Sequence, residues 1–203
     1  MVNKEWCNVV VPILWKKLFS WYQDYRDGKK VKESKKKLFN TILSCLPSPS
    51  KRILSNNNIK LPHSNPPLFN YVSFCEFPST EIVGGIINMI FEEFSAEDSH
   101  RNLLEQEIYK LFVSQCNNIK KLQWETSQPL PLFPGASTCF SQLNRLFVDI
   151  DLVDSNALYE MAQICKGLNY LTIYDCYQDL PGLISLIDAQ KNLTSVTIYH
   201  TYS

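Results

Sequence analysis

Two cysteines bracket the stretch "CKGLNYLTIYDC", residues 165 to 176, in a chain with seven cysteines and three histidines. Such residue types could bind zinc, exchange disulfides or supply a Cys-His nucleophile pair. A zinc site needs close pairs of Cys or His, and the long interval between Cys165 and Cys176 does not make one. His63, His100 and His200 stand neither at a ligand spacing from one another nor beside a cysteine. No glycine-rich phosphate loop is present, because Gly84 and Gly85 lie inside an apolar helical pattern with no lysine following. Close helix packing is the plainer use of that pair. These residues predict a non-catalytic chain without metal or cofactor, its cysteines serving as packing thiols.

The elements that would position these residues repeat. The pattern L-x-x-L-x-[IV] occurs as Leu143, Leu146, Val148, then Leu168, Leu171, Ile173, then Leu193, Val196, Ile198, so that its start moves in equal steps from 143 to 168 to 193. A weaker copy, Ile119, Leu122, Trp124, precedes them by a step one position shorter. Self-similarity at this period indicates a solenoid, in which no unit buries its apolar face alone. Between strands, Leu158, Met161, Ala162 and Cys165 recur at i, i+3, i+4, i+7 behind a capping Asp154 or Ser155. The same shift selects Leu183, Leu186 and Ile187, with Asp179 as cap and Pro181 in the first turn. Each unit therefore reads strand, loop, helix. Cys165, Cys116, Phe140 and Gln190 share one slot, three positions before the strand pattern. Cys176 falls where the chain leaves its strand and turns inward.

Period-2 alternation sends the remaining strand residues to the opposite, concave face. They are Lys121, Gln123 and Glu125; Arg145, Phe147 and Asp149; Tyr170, Thr172 and Tyr174; Ser195, Thr197 and Tyr199. Phe147, Tyr170, Tyr174 and Tyr199 should form an aromatic stripe with Arg145 and Asp149 at one side, and Tyr and Arg are favoured interface anchors. Earlier, Phe69, Val72 and Phe74 suggest one more strand, two periods before Ile119, with helices over 79 to 95 and 101 to 117 in the gap. "KKKLFNTILSCLP" predicts a helix with Leu38, Ile42 and Cys45 on one face, and "SNNNIKLPHSNPP" an irregular connection. Pro131 and Pro134 match a minimal polyproline ligand, but they fall between two repeats, where a loop is required.

Charge divides the chain. Between Met1 and Lys60 stand thirteen Lys or Arg against four Asp or Glu, so this segment carries about +9 and the rest of the neutral chain about −9. The lysines concentrate in "RDGKKVKESKKK", residues 26 to 37. Apart from Tyr25 no aromatic is interleaved to stack on bases, so this is expected to be a solvated linker or helix face, and nucleic acid is not the expected partner. No apolar run reaches the roughly 20 residues of a membrane helix, and "IVGGIINMI" predicts a buried helix. The N-terminus fails as a secretory signal; the expectation is cytoplasm or nucleus, no membrane, and reduced thiols. The sequon Asn192-Leu-Thr194 is then not used. With Ser203 just after the last strand and no polar cap, a tendency to associate or a longer natural chain is expected.

The stretch C-x-x-L-x-x-L-x-I-x-x-C from residue 165 closely resembles the cysteine-containing class of leucine-rich repeats. At the other end, Trp6, Pro12, Leu14 and Trp15 form W-x5-P-x-L-W, which resembles the last helical part of an F-box, the module that docks on the adaptor subunit of cullin-RING ubiquitin ligases. Taken with "LFNTILSCLP", "PPLFNYVSFCEF" and the repeats, nearly the whole chain is similar to a group of fungal F-box proteins with leucine-rich repeats. The first two F-box helices have no counterpart ahead of Trp6, so the four residues are expected as remnants of that module's core. The resemblance implies an α/β leucine-rich-repeat solenoid behind a helical N-terminal segment: a partial F-box over 1–22, a helical basic linker over 23–67, and repeats over 68–203, clearest over 116–203. It further implies recruitment of a protein substrate for ubiquitination, through Arg145, Phe147, Asp149, Tyr170, Thr172, Tyr174, Thr197 and Tyr199, with the ligase adaptor as second partner. The alternative is a repeat-only scaffold or decoy without ligase coupling.

Overall fold

The computed structural model of the chain describes residues 4–16, 29–62, 66–91, 97–176 and 180–200. It divides into two compact units, Met1–Phe112 and Val113–Ser203. The histidine at 63, residues 26 to 28 of the basic stretch, residues 92 to 95 of the expected helix and the expected cap Asp179 lie outside the described residues.

The first unit is helical: α1 Lys4–Lys16, α2 Lys29–Ser44, α3 Ser48–Asn56, α4 Thr80–Phe91 and α5 Asp98–Gln115, the last reaching just past the division. In α2 the lysines are good helix formers with no Gly or Pro among them, and the apolar residues that hold the helix in place come at its C-terminal end. Phe39, Ile42, Leu43 and Leu46 are buried, whereas Leu38 and Cys45 are half-buried. The buried stripe thus lies one position away from the expected Leu38–Ile42–Cys45 face, because Phe39 and Leu43 are the bulkier pair at i, i+4. Lys51 donates from Nζ to the Ser44 carbonyl at 2.8 Å, satisfying a terminal acceptor of α2. The short helix α3, which the sequence pattern does not announce, has Pro47 at its N-terminal cap position, Pro49 in its first turn and Asn57 at its C-terminal cap position.

Phe69, Val72 and Phe74 do not form the expected strand: Tyr71–Phe74 is a 3₁₀ turn. A parallel strand persists only beside a partner, and the described residues of this unit contain no strand. Aromatic packing takes over instead. Tyr71 meets the Trp15 ring at 4.6 Å and the Phe69 ring at 5.8 Å, and Val72 is buried. Helix α4 buries Ile82, Val83, Ile86 and Ile87, as its apolar run predicts. A Cβ at Gly84 would meet nothing within 4 Å, so close packing does not explain that glycine. Phe77 stacks on Tyr109 at 6.1 Å and meets Phe112 edge-on at 6.2 Å. Among the described residues no helix is long and apolar enough to cross a membrane.

The second unit is α/β. Strands β1 Lys121–Trp124, β2 Arg145–Asp149, β3 Tyr170–Tyr174 and β4 Ser195–Tyr199 make a four-stranded parallel sheet in the order β1-β2-β3-β4. Helices α6 Ala136–Phe140, α7 Ser155–Ile164 and α8 Pro181–Asp188 fill the crossovers, with α7 packed on α8. The sequence period is the sheet register: Leu122, Leu146, Leu171 and Val196 lie side by side, as do Trp124, Val148, Ile173 and Ile198. Both rows are buried through β3 and become exposed at β4.

Local chemistry fixes the crossovers. Asp154 caps α7, accepting from the Ala157 N–H at 2.9 Å. Leu180 occupies the α8 cap position, without a side-chain bond, and Pro181 opens the helix. Gly182 lets α8 approach α7: a Cβ there would lie 2.1 Å from the Ser155 carbonyl oxygen, and the Gly182 N–H donates to Ser155 Oγ at 2.8 Å. Gly135 adopts φ 96°, where a Cβ would stand 2.9 Å from Val113 O. Pro131 is buried within the 3₁₀ turn Leu130–Leu132, so its place is structural and the polyproline-ligand pattern is not presented.

Candidate binding face of the parallel sheet

On the solvent face of the sheet the same register arranges three rows. Lys121, Arg145, Tyr170 and Ser195 form the first, across the strand starts; Gln123, Phe147, Thr172 and Thr197 the second; Asp149, Tyr174 and Tyr199 the third. All eight residues expected to meet a partner therefore share this face, none fully buried, whereas Glu125 of the twelve expected there falls just past the end of β1. Rings and cations associate within it. The Arg145 guanidinium lies 4.7 Å from the Tyr170 ring centroid, Lys121 Nζ lies 5.0 Å from that of Phe147, and Tyr174 stacks on Tyr199 at 5.4 Å. Cation–π contact and stacking restrict side chains that would otherwise sweep solvent.

Charge is sorted by rim. Parallel strands all start on one side, and there stand Lys120, Lys121, Arg145, Lys166 and Lys191, with Asp188 at the end of α8. At the strand ends stand Glu125, Asp149, Asp151, Asp154 and Asp175, with His200 beyond β4. Burial, opposed by the Asp151 N–H it accepts at 3.1 Å and reinforced by Asp175 and Asp151, raises the Asp149 carboxyl above its ordinary range. A groove of about 730 Å³ opens at the basic rim between Lys120, Asn144, Lys166 and Lys191.

An asparagine ladder runs along that rim, and reasoning from the sequence does not anticipate it. Asn144 donates from Nδ2 to Asn169 Oδ1, Asn169 donates from Nδ2 to Asn192 O at 3.0 Å, and Thr194 Oγ1 donates to Asn169 O at 2.9 Å. The signal is present all the same, since Asn144, Asn169 and Thr194 occupy one position of the repeat. The Thr194 hydroxyl of the sequon is used in this ladder.

Three cysteines of the second unit are held away from water. Cys116, Cys139 and Cys165 are buried. Burial pushes the Cys116 thiol up to about 12 and the Cys165 thiol up to about 11, and raises Cys139 with help from neighbouring Cys116. The thiolate is the reactive form, so these thiols remain neutral packing groups at physiological pH. In the repeat slot held elsewhere by Cys116, Phe140 and Cys165, Gln190 substitutes hydrogen bonds for apolar bulk: its Oε1 accepts from the Leu168 N–H at 2.9 Å, and its Nε2 donates to Cys165 O and Leu186 O at 2.8 Å each. Cys176 is half-buried, next to Asp175, whose φ of 57° turns the chain out of β3. Among the described residues no group of three or more His, Cys, Asp or Glu could hold a metal ion.

In α1 the expected core remnants are only partly buried. Trp6 is 69% and Leu14 54% exposed, Pro12 and Trp15 are half-buried, and Trp15 has the ring contact with Tyr71. The expectation of a buried package is corrected for Trp6 and Leu14, which stand exposed while Trp15 alone of the four has the ring contact. Trp6, Val9 and Ile13, at i, i+3, i+7, make an exposed apolar stripe. Comparison with family models, with curated proteins and with solved structures finds no match to this chain.

Proposed function

We propose that the chain is a non-catalytic protein-binding module: a leucine-rich-repeat arc whose concave face holds a protein substrate, coupled through an F-box-like α1 to the adaptor of a cullin-RING ubiquitin ligase. The observation that carries the reading is the aligned, accessible group of Arg145, Phe147, Tyr170, Tyr174 and Tyr199 on a sheet whose other face is core through β3. Tyr and Arg concentrate binding energy because they bury large areas and still offer a polar tip. The register-matched units support repeats, and the buried, neutral thiols support packing rather than catalysis. The exposed stripe Trp6, Val9 and Ile13 is the apolar surface that α1 offers to an adaptor.

The test is capture of purified ligase adaptor by this chain, beside a version given a complete F-box ahead of Trp6. Capture by the chain itself, lost in Trp6→Ala with Ile13→Ala, supports ligase coupling. Capture by the extended version alone leaves a repeat-only scaffold, and capture by neither removes the F-box reading.

A further inference from the structure

Resting on the binding-face reading above, we infer that the occupant of the sheet face is a protein segment of bipolar charge, lying along the strands with acidic side chains over Lys121 and Arg145 and basic ones over Asp149 and Asp151. Three features of the face carry this. First, the opposite charges are segregated by strand direction and do not alternate. Because every strand runs the same way, Lys121 and Arg145 stand in the first row and Asp149 in the third, with Asp151 just beyond. Four steps of strand separate Arg145 from Asp149, roughly 13 Å at about 3.3 Å each. That exceeds the screening length of about 8 Å at physiological ionic strength, so the rims act on a ligand independently and neutralise each other little.

Second, the cations lie over rings, Arg145 on Tyr170 and Lys121 on Phe147, which leaves their N–H groups free in direction to meet a carboxylate from above. Third, the centre between the rims is Phe147, Thr172 and Thr197, flanked by the Tyr174–Tyr199 stack. This is a platform for apolar or aromatic side chains, with hydroxyls at its edge. A polyanion would satisfy the basic rim and be repelled by the acidic one, and a uniformly basic segment would meet the reverse. Only a segment with both signs, spaced by about one strand length, gains at each end, and complementarity of this kind sets the orientation and register of docking.

The test is selection of random peptides of about 12 residues, long enough to cross both rims, displayed on phage against the full chain. The synthesised winners are then titrated by fluorescence anisotropy. Expected winners carry Asp or Glu toward one end, Lys or Arg toward the other and an aromatic between. Lys121→Glu with Arg145→Glu, and separately Asp149→Lys with Asp151→Lys, should each weaken binding about tenfold, and a charge-swapped peptide should recover it when both rims are reversed. Winners without polarity, or indifferent to either rim, overturn the inference. Winners that ignore the rims but are lost in Tyr174→Ala with Tyr199→Ala leave the binding face standing and remove only its polarity. Insensitivity to all of these variants removes both. Displacement of a winner by a single-stranded DNA of about 20 nucleotides that depends on the basic rim alone would replace the peptide with a nucleic acid. Circular dichroism checks each variant's fold, and Lys121→Gln with Arg145→Gln replaces any reversal that does not fold.

Discussion

Strands β3 and β4 carry the same pattern, one repeat apart and in register, yet their inward residues differ in burial. Leu171 and Ile173 are each 1% exposed, whereas Val196 and Ile198 are 46% and 51% exposed. β3 has a strand on each side, and the helices of the two crossovers that flank it, α7 and α8, pack on each other. β4 pairs on one side only, and among the described residues no helix follows it. The difference shows that a repeat residue is core only where its neighbours make it so, since hydrophobic stabilisation scales with the area removed from water. Tyr174 and Tyr199 extend the contrast to the solvent face: stacked on each other, they stay accessible on both strands.

Substitution at equivalent positions is the most direct way to break this comparison. Ile173→Ala should cost about 2–5 kcal/mol, from lost transfer energy and a residual cavity, and Ile198→Ala less than about 1 kcal/mol, both read from urea denaturation midpoints. Equal losses would mean that β4 is covered in solution. Next in size, Gly182→Ala should cost about 1–3 kcal/mol, because its methyl would collide with the Ser155 carbonyl and Leu158 Cβ where α8 meets α7. A melting temperature unchanged from wild type would show that the α7–α8 contact yields easily.

A smaller effect isolates the polar member of the shared slot. Gln190→Leu should cost about 1 kcal/mol: it strips partners from the Leu168 N–H, Cys165 O and Leu186 O, but at a half-exposed site where water can replace them. Stabilisation would mean that apolar bulk, as at Cys165 and Phe140, is what the slot requires. The smallest effect belongs to the solvent face. Asp149 has its pKa raised from 3.8, chiefly by burial, so the folded state holds its proton to higher pH than the unfolded chain and its ionisation costs stability as pH rises through that window. Asp149→Asn, which retains an acceptor for the Asp151 N–H, should be slightly more stable than wild type at neutral pH. The gain should fade as pH falls toward the unfolded value near 3.8. A gain that grows on acidification would reverse the sign.

Much of the second unit is legible in the sequence because its signals are local and repeated. The even spacing of Leu146, Leu171 and Val196 anticipates the register, alternation anticipates the three solvent-facing rows, and Asp154 ahead of an i, i+3, i+4, i+7 pattern anticipates α7. The first unit misleads at Phe69, Val72 and Phe74, where spacing alone suggests a strand and the aromatic contacts of Tyr71 stabilise a 3₁₀ turn. The pattern favours Leu38 and Cys45 over Phe39 and Leu43 for a related reason, since a short apolar cluster does not say which side of a helix faces its neighbours.

By itself the sequence determined what depends on near neighbours along the chain: strand periodicity, caps, the proline that opens α8, and which side chains share a sheet face. Only the tertiary structure decided what depends on residues far apart. It placed Arg145 over Tyr170, joined Asn144 to Asn169, and raised the thiol of Cys116 through burial. It also exposed Ile198 while burying Ile173. Each of those outcomes requires a second segment at a particular distance, and one-dimensional spacing does not specify the distance or what fills the space between.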